Sequence, residues 1–358
     1  MQRFSVPILV ALMALTLVGL AYFDRMDLYI QSVFMFMGIN IILSSSLNII
    51  NGYMGEFACG HAAFMAIGAY VTSILNVLLF TKDRVFGPPL LSPELALYFF
   101  PVTLLIGAFA AALAGALVAI PSFKTRGDYL AIITIAANFI VTSTIINIDV
   151  IGGSRGFMGM KQIVFAMEDI IFLPWMLIWV LVFTVLTVWL IRRYVTSTYG
   201  KGIIAINQDE VAAEIMSVNT NKMKMVAFMI SSGLAGIGGG LFAHILGYIN
   251  PGSFGILKST ECMVMVYLGG MGSLSGSVIS AIIFTLLLEG LRFVIPWMNE
   301  MIHLIDAVPD AFQISQVWKW VIIPLILVLL MQFRPEGLMG NKELSDVFPR
   351  LKRWYRFK

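Results

Sequence analysis

Ten apolar runs follow one another along this chain, at residues 5–23, 28–50, 57–80, 96–120, 129–148, 173–193, 223–248, 257–268, 273–290 and 317–333. Crossing the roughly 30 Å hydrocarbon core of a bilayer takes about 20 apolar residues in a helix. Backbone in contact with lipid must also satisfy its own hydrogen bonds, so runs of this kind mean helices. The expected fold is all-α and polytopic, with about ten transmembrane or re-entrant helices. Composition agrees: 59% of the 358 residues are hydrophobic, 12% are charged and the mean hydropathy is +0.91, so polar side chains are too few to cover a soluble globule.

Two runs carry a choice. The first, after Met-Gln-Arg, is read as a span rather than a signal peptide, because it lacks a small-x-small cleavage pattern. Run 257–268 is shorter than a usual span, so 257–290 is either two spans or a re-entrant pair. If all ten runs cross, the termini share a side. Of the 23 Lys and Arg, fifteen then fall on the side of the N-terminus, the 121–128 and 194–224 loops and the C-terminal tail, and eight on the other. The positive-inside rule makes the richer side cytoplasmic. The tail, ending RLKRWYRFK, reads as a solvated or headgroup-bound segment.

Several function classes drop out. Cys59 and Cys262 lie in apolar surroundings and suit packing better than a disulfide or metal. No His/Cys/Asp cluster has metal-ligand spacing, and there is no nucleophile elbow and no G-x-x-x-x-G-K-[ST] phosphate loop. No cofactor is expected, and a net charge of +3 is too small to argue for nucleic acid.

Polar residues inside the runs are the informative ones. Asn40, Ser44, Asn48 and Asn51 share one helical face, and Thr134, Asn138 and Thr142 share another. Such stripes either glue helices together, at about 1 kcal/mol per bond, or line a solute path. Between the second and third runs, NGYMGEFACGH, residues 51–61, breaks what would otherwise be continuous membrane helix. A break there exposes backbone N–H groups and a helix N-terminus, which can receive a carboxylate. The candidate path therefore includes Asn40, Ser44, Asn48, Asn51, Gly55, Glu56, Gly60, His61, Thr134, Asn138 and Thr142. The alternative is that the glycines of the break only let two helices approach. Gly52-x-Met54-Gly55 has an echo in Gly269-x-Met271-Gly272. Ser232, Gly236, Gly240 and His244 recur every four residues and read as a packing seam. Glu56 and Glu261 are costly groups at membrane depth, either functional or solvated near the boundary.

The linker 194–224 is too polar to cross. Asn207 followed by Glu210 suggests a capping box and a short helix at 208–218, whose Val211, Ile215 and Val218 form an apolar face. A helix of about ten residues is marginal alone in water, so it leans on the membrane, on the chain's own spans or on another protein.

The stretch GKGIIAINQDEVAAEIMSVN resembles the cytoplasmic signature of permease subunits of bacterial branched-chain amino acid ABC importers. GYMGEFACGHAAFMAIGAY, RGDYLAIITIAAN, GGSRG and YLGGMGSLSG are similar to further motifs of that family, in order over about residues 35–340, and RGDYLAI with GGSRG favours its M-type. The resemblance implies a transmembrane permease domain at 1–334 with a basic cytoplasmic tail at 335–358 in the bacterial inner membrane. It also implies an H-type permease partner, two cytoplasmic ATPase subunits that bind the ATP, and an extracytoplasmic solute-binding protein. Asn207, Asp209, Glu210, Val211, Ala212, Ala213, Glu214 and Ile215 would form the element that docks to the ATPase. Departures stand at Ala58-Cys59, Asn207, Ser217 (where glycine is usual) and Asn138-Phe139. The last lies on the candidate path, so urea or short amides stay open as substrates. An ion-coupled secondary transporter working through Glu56, Glu261 or His61 is the other alternative.

Overall fold

The computed structural model describes residues 5–23, 25–82, 87–123, 129–303, 315–333, 336–340 and 342–347. In chain order the helices are α1 (Ser5–Tyr22), α2 (Leu28–Asn48), α3 (His61–Phe80), α4 (Ala96–Ser122), α5 (Tyr129–Ile146), α6 (Met160–Ile170) and α7 (Trp175–Thr196). They continue with α8 (Thr198–Gln208), α9 (Glu210–Ile215), α10 (Thr220–Leu246), α11 (Ile256–Gly269), α12 (Leu274–His303), α13 (Lys319–Phe333) and α14 (Leu344–Val347). Among the described residues, seven helices are long and apolar enough to cross a membrane: α2, α3, α4, α5, α7, α10 and α12. With the shorter apolar α1, α11 and α13 they account for the ten runs. The fold is all-α and polytopic; the strands among the described residues are the two-residue β1 (Phe157–Met158) and β2 (Tyr248–Ile249), paired antiparallel.

The tightest packing joins α3, α4 and α10, and small residues make it possible. A Cβ on Gly236 would stand 2.6 Å from the Ala111 Cβ, and one on Gly68 would collide with the Gly236 backbone. Gly115 takes the Ser232 side chain in the same way. Close backbone approach replaces the hydrophobic drive that lipid cannot supply. His244 closes this seam: Asn76 Nδ2 lies 2.9 Å from its Nε2, its Nδ1 lies 2.8 Å from the Gly240 carbonyl oxygen, and the Phe100 ring packs edge-on at 5.0 Å. It is a satisfied interfacial histidine.

Segment 257–290 is one short helix and one full span. The 14 residues of α11 reach about 21 Å, half the length of the 30-residue α12. A turn through Gly270 and Gly272, both at positive φ, joins them. One end of the bundle gathers this turn, the α2–α3 corner, α8, α9 and the segment 336–347. The opposite end carries α6, which lies against the turn Pro93–Leu95, and the β1–β2 pair.

Residues 336–347 dock on the α11–α12 turn. Leu338 N donates to Leu268 O at 2.8 Å and Met339 N to Gly269 O at 3.1 Å. The buried Glu343 carboxylate accepts from Leu274 N (2.8 Å), Ser275 N (3.1 Å) and Ser275 Oγ (2.6 Å), and so caps α12. The described part of the region expected as a tail is thus fastened down. The basic stretch 348–358 and Arg126–Asp128 of the RGDYLAI motif lie outside the described residues.

Candidate functional site

The break at 51–61 is a corner with a defined construction. α2 does not end at residue 50: a π-helical turn, Ile49–Met54, extends the span, and Gly55 stops it in the left-handed conformation (φ +75°). The chain then runs without regular structure to His61, where α3 begins. Gly60 is needed for close approach, since a Cβ there would strike the Thr134 backbone carbonyl on α5.

The expectation that this corner leaves backbone donors open to a carboxylate is corrected for four of them. Ala58 N donates to Asn51 Oδ1 (3.2 Å), Cys59 N to Thr134 Oγ1 (3.1 Å), Ala62 N to Ser259 Oγ (3.0 Å) and Ala63 N to Gly60 O (3.1 Å). The Asn51, Thr134 and Ser259 side chains and the Gly60 carbonyl match these donors instead, because a dry helix N-terminus is costly unless its donors are paired within the protein.

The stripe on α2 faces α12. Asn40 Nδ2 donates to Thr285 Oγ1 (2.9 Å) and Ser44 Oγ to Ser277 O (3.0 Å). Asn48 Nδ2 donates to Ser273 O (2.9 Å) and Ser277 Oγ (2.8 Å), while its Oδ1 accepts from Gly272 N (3.0 Å). All three side chains are buried, as is Asn51. His61 is also buried, with its Nε2 2.9 Å from Ser46 Oγ. In this conformation these groups bond helices together. On α5, Thr134 supports the corner and Asn138 Nδ2 donates to Phe254 O (3.2 Å), yet the buried Asn138 Oδ1 has no partner among the described residues. The half-buried Thr142 hydroxyl bonds its own helix at Asn138 O (2.9 Å).

The two glycine motifs noticed as an echo meet in space. Besides the Asn48–Gly272 bond, a Cβ on Gly52 would collide with the Gly272 backbone nitrogen. Two helix breaks, one from each half of the chain, therefore lie back to back.

The linker folds as two helices. The proposed capping box is corrected: Asp209, with extended backbone (φ −159°, ψ 110°), is the N-cap of α9, its Oδ1 accepting from Ala212 N at 3.0 Å. Asn207 instead sits in the last turn of α8 and donates from Nδ2 to Gly52 O at 3.1 Å, with its side chain against Gly55. Position 209 wins because a carboxylate there reaches the first free amides directly and favours the helix dipole. The helix expected over 208–218 is thus shortened to Glu210–Ile215. Ala213 is its buried contact; Ala212 is exposed, and Glu214 accepts from Thr220 Oγ1 at 3.0 Å. Val211, Ile215 and Met216 are 63%, 77% and 78% exposed, so none leans on the chain's own spans. Val218 is half-buried. Ser217 adopts φ +63°, the left-handed conformation that glycine takes at least cost.

Three charged residues escaped sequence reasoning. Lys224, buried in the second turn of α10, pairs with Glu56 at 2.7 Å and Glu210 at 2.8 Å. Lys258 pairs with Glu261 at 2.7 Å, three residues on along α11. Glu343 caps α12 from 69 residues away. A lysine at the foot of an apolar run signals only an anchored helix end, and nothing in the local pattern names a distant carboxylate.

A family model described as "Branched-chain amino acid transport system / permease component" matches residues 29–331. The chain belongs to this family. The high-affinity branched-chain amino acid transport system permease protein LivM of Escherichia coli (strain K12) is 29% identical over 328 residues, 84% of this chain and 68% of the relative. The probable branched-chain amino acid transport permease protein LivM of Methanocaldococcus jannaschii is 22% identical over 338 residues, 88% of this chain and 94% of the relative. The permease protein LivH of E. coli (strain K12) is 25% identical over 171 residues, 48% of each chain. Likeness to the M-named relatives runs through most of the chain and to the H-named one through half, so this permease is of the M type. No solved structure matches it. The permease is a multi-pass membrane protein, and its relatives are transport permeases rather than enzymes.

Proposed function

We propose that this chain is the M-type permease subunit of an ABC importer for branched-chain amino acids, worked by separate ATPase subunits that dock on α9. The observation that carries the reading is the trio Val211, Ile215 and Met216, held out from the bundle on a capped helix and exposed among the described residues. An exposed apolar tip of this kind marks a protein interface. ATP is bound by the partners; the sequence has no phosphate loop of its own. The excess of Lys and Arg at the end bearing α8 and α9 supports a cytoplasmic side there, with both termini on that side, and the family supports a bacterial inner-membrane location. An H-type permease, related to this chain over half its length, completes the membrane unit, and an extracytoplasmic protein delivers solute at the α6 end.

Within the path, Asn138, Thr142 and Gly55 are the stronger candidates, while Glu56 is held by Lys224. Asn138 keeps a buried acceptor, and Gly55 borders the exposed outer side of the corner. Asn40, Ser44, Asn48, Asn51, Gly60, His61 and Thr134 would have to give up intrachain contacts to reach a solute. An ion-coupled mechanism is not favoured: Glu56, Glu261 and His61 are each engaged within the chain.

The test is co-purification of the membrane unit with its ATPases, with leucine uptake measured in parallel. Val211→Asp and Ile215→Asp should each weaken docking by about 2 kcal/mol or more, the size of an interface hot spot, and stop uptake. Docking and uptake that survive both changes would refute the reading.

A further inference from the structure

The contacts around Lys224 suggest how a docked motor would be felt inside the membrane. α9 meets α10 through the Glu210–Lys224 ion pair and the Thr220–Glu214 hydrogen bond, and the first of these leads on to the α2–α3 corner. Lys224 Nζ lies 2.7 Å from Glu56 Oε1, in the α2–α3 corner, and 2.8 Å from Glu210 Oε1, in the first turn of α9. One helical turn before α9, Asn207 at the end of α8 donates to Gly52 O, on the other flank of the same corner. Beside these ties a cleft of about 640 Å³ separates α8 from the α11–α12 turn and the docked segment, lined by Gly52, Tyr53, Lys201, Asn207, Glu343 and Asp346. The α8–α9 unit is therefore bolted to the corner but stands off from the turn beside it.

The ammonium is nearly buried, with a side-chain exposure of 7%, and it packs near the Phe123 ring at 5.9 Å, while Glu210 is 46% exposed and reaches into solvent. Without the lysine, two carboxylates would face one another across the joint between α9 and the corner. Like charges repel, so the joint would loosen.

We propose that Lys224 is the positioning residue that couples α9 to the α2–α3 corner, so that displacement of α9 by a docked ATPase is delivered to the two back-to-back helix breaks. The ion pairs make the corner follow α9, and the broken, glycine-jointed backbone lets it move without unwinding α3. This rests on the function proposed above, because it needs a motor on α9.

The experiment uses the complete importer, with both permeases, the ATPases and the binding protein, in liposomes with radiolabelled leucine as probe. The quantity read is leucine taken up per ATP hydrolysed. Lys224→Met should leave ATPase co-purification at the wild-type level and lower that ratio about tenfold, within the range of measured coupling effects; Lys224→Arg should restore most of it. Glu56→Gln and Glu210→Gln should lower it less than Lys224→Met, since each glutamine carbonyl can still accept a hydrogen bond from the ammonium. An unchanged ratio in Lys224→Met, or hydrolysis and uptake falling together as ATPase is lost, would overturn the proposal. Should Lys224→Met fail to accumulate in the membrane, Glu56→Gln and Glu210→Gln decide: a wild-type ratio in both overturns it. A wild-type permease that recovers no ATPase would instead defeat the docking reading beneath it.

Discussion

The interior of the bundle and the tip of α9 invert the usual arrangement of polar and apolar groups. Inside, Asn40, Ser44 and Asn48 are buried and bonded across to α12; outside, Val211, Ile215 and Met216 are exposed. In a membrane protein the first arrangement is a solution, because interhelical hydrogen bonds and close packing hold helices that lipid does not push together. The second is an unsolved problem for the isolated chain, since a six-residue helix with apolar side chains in water is not stable by itself. What differs between them is completeness. The polar stripe has found its partners within the chain, whereas the tip has found none among the described residues.

The largest effects should come from damaging packing where backbones touch. Gly236→Leu, which drives a side chain into Ala111 and α4, should cost several kcal/mol and remove the protein from the membrane fraction. Gly60→Leu should do the same through α5, so loss of uptake in that variant reports packing and says nothing of a carboxylate site. Normal accumulation of either would mean the bundle is looser than described.

A smaller effect separates glue from path. Asn48→Ala removes three hydrogen bonds between α2 and the start of α12 and should cost about 1–2 kcal/mol, seen as a lower melting temperature in detergent. Uptake per folded molecule should stay near wild type. An unchanged melting temperature with uptake lost would move Asn48 from the first region's role into the transport path. The smallest effect belongs to the tip: Ser217→Gly relieves a left-handed serine and should stabilise the α9–α10 junction by about 1 kcal/mol, measurable as slower proteolysis of the linker.

The apolar runs foretold every long helix, because a bilayer imposes one length and one hydrogen-bonding rule on all of them. Ends were less legible. α2 ran past residue 50 through a π turn, which obeys no apolar period, and the cap of α9 fell at Asp209 rather than Asn207 because a preceding helix, α8, had already claimed Asn207. The four-residue seam on α10 could be read in advance since its partners needed only to be small. The polar stripes could not be resolved, because spacing shows that residues share a face but not what that face meets. Lys224 and Glu343 were beyond reach for the same reason, since their partners are set by how distant segments dock, whereas the Lys258–Glu261 pair follows a local i,i+3 spacing on α11.

The most direct test of the central claim exploits the burial of both native cysteines, Cys59 and Cys262. An Ile215→Cys thiol would be the accessible one among the described residues, and its rate of labelling by a maleimide can be followed in the membrane unit alone and after its ATPases are added. The account predicts fast labelling in the free unit and strong protection once the ATPases bind. Equal rates in the two states would contradict it.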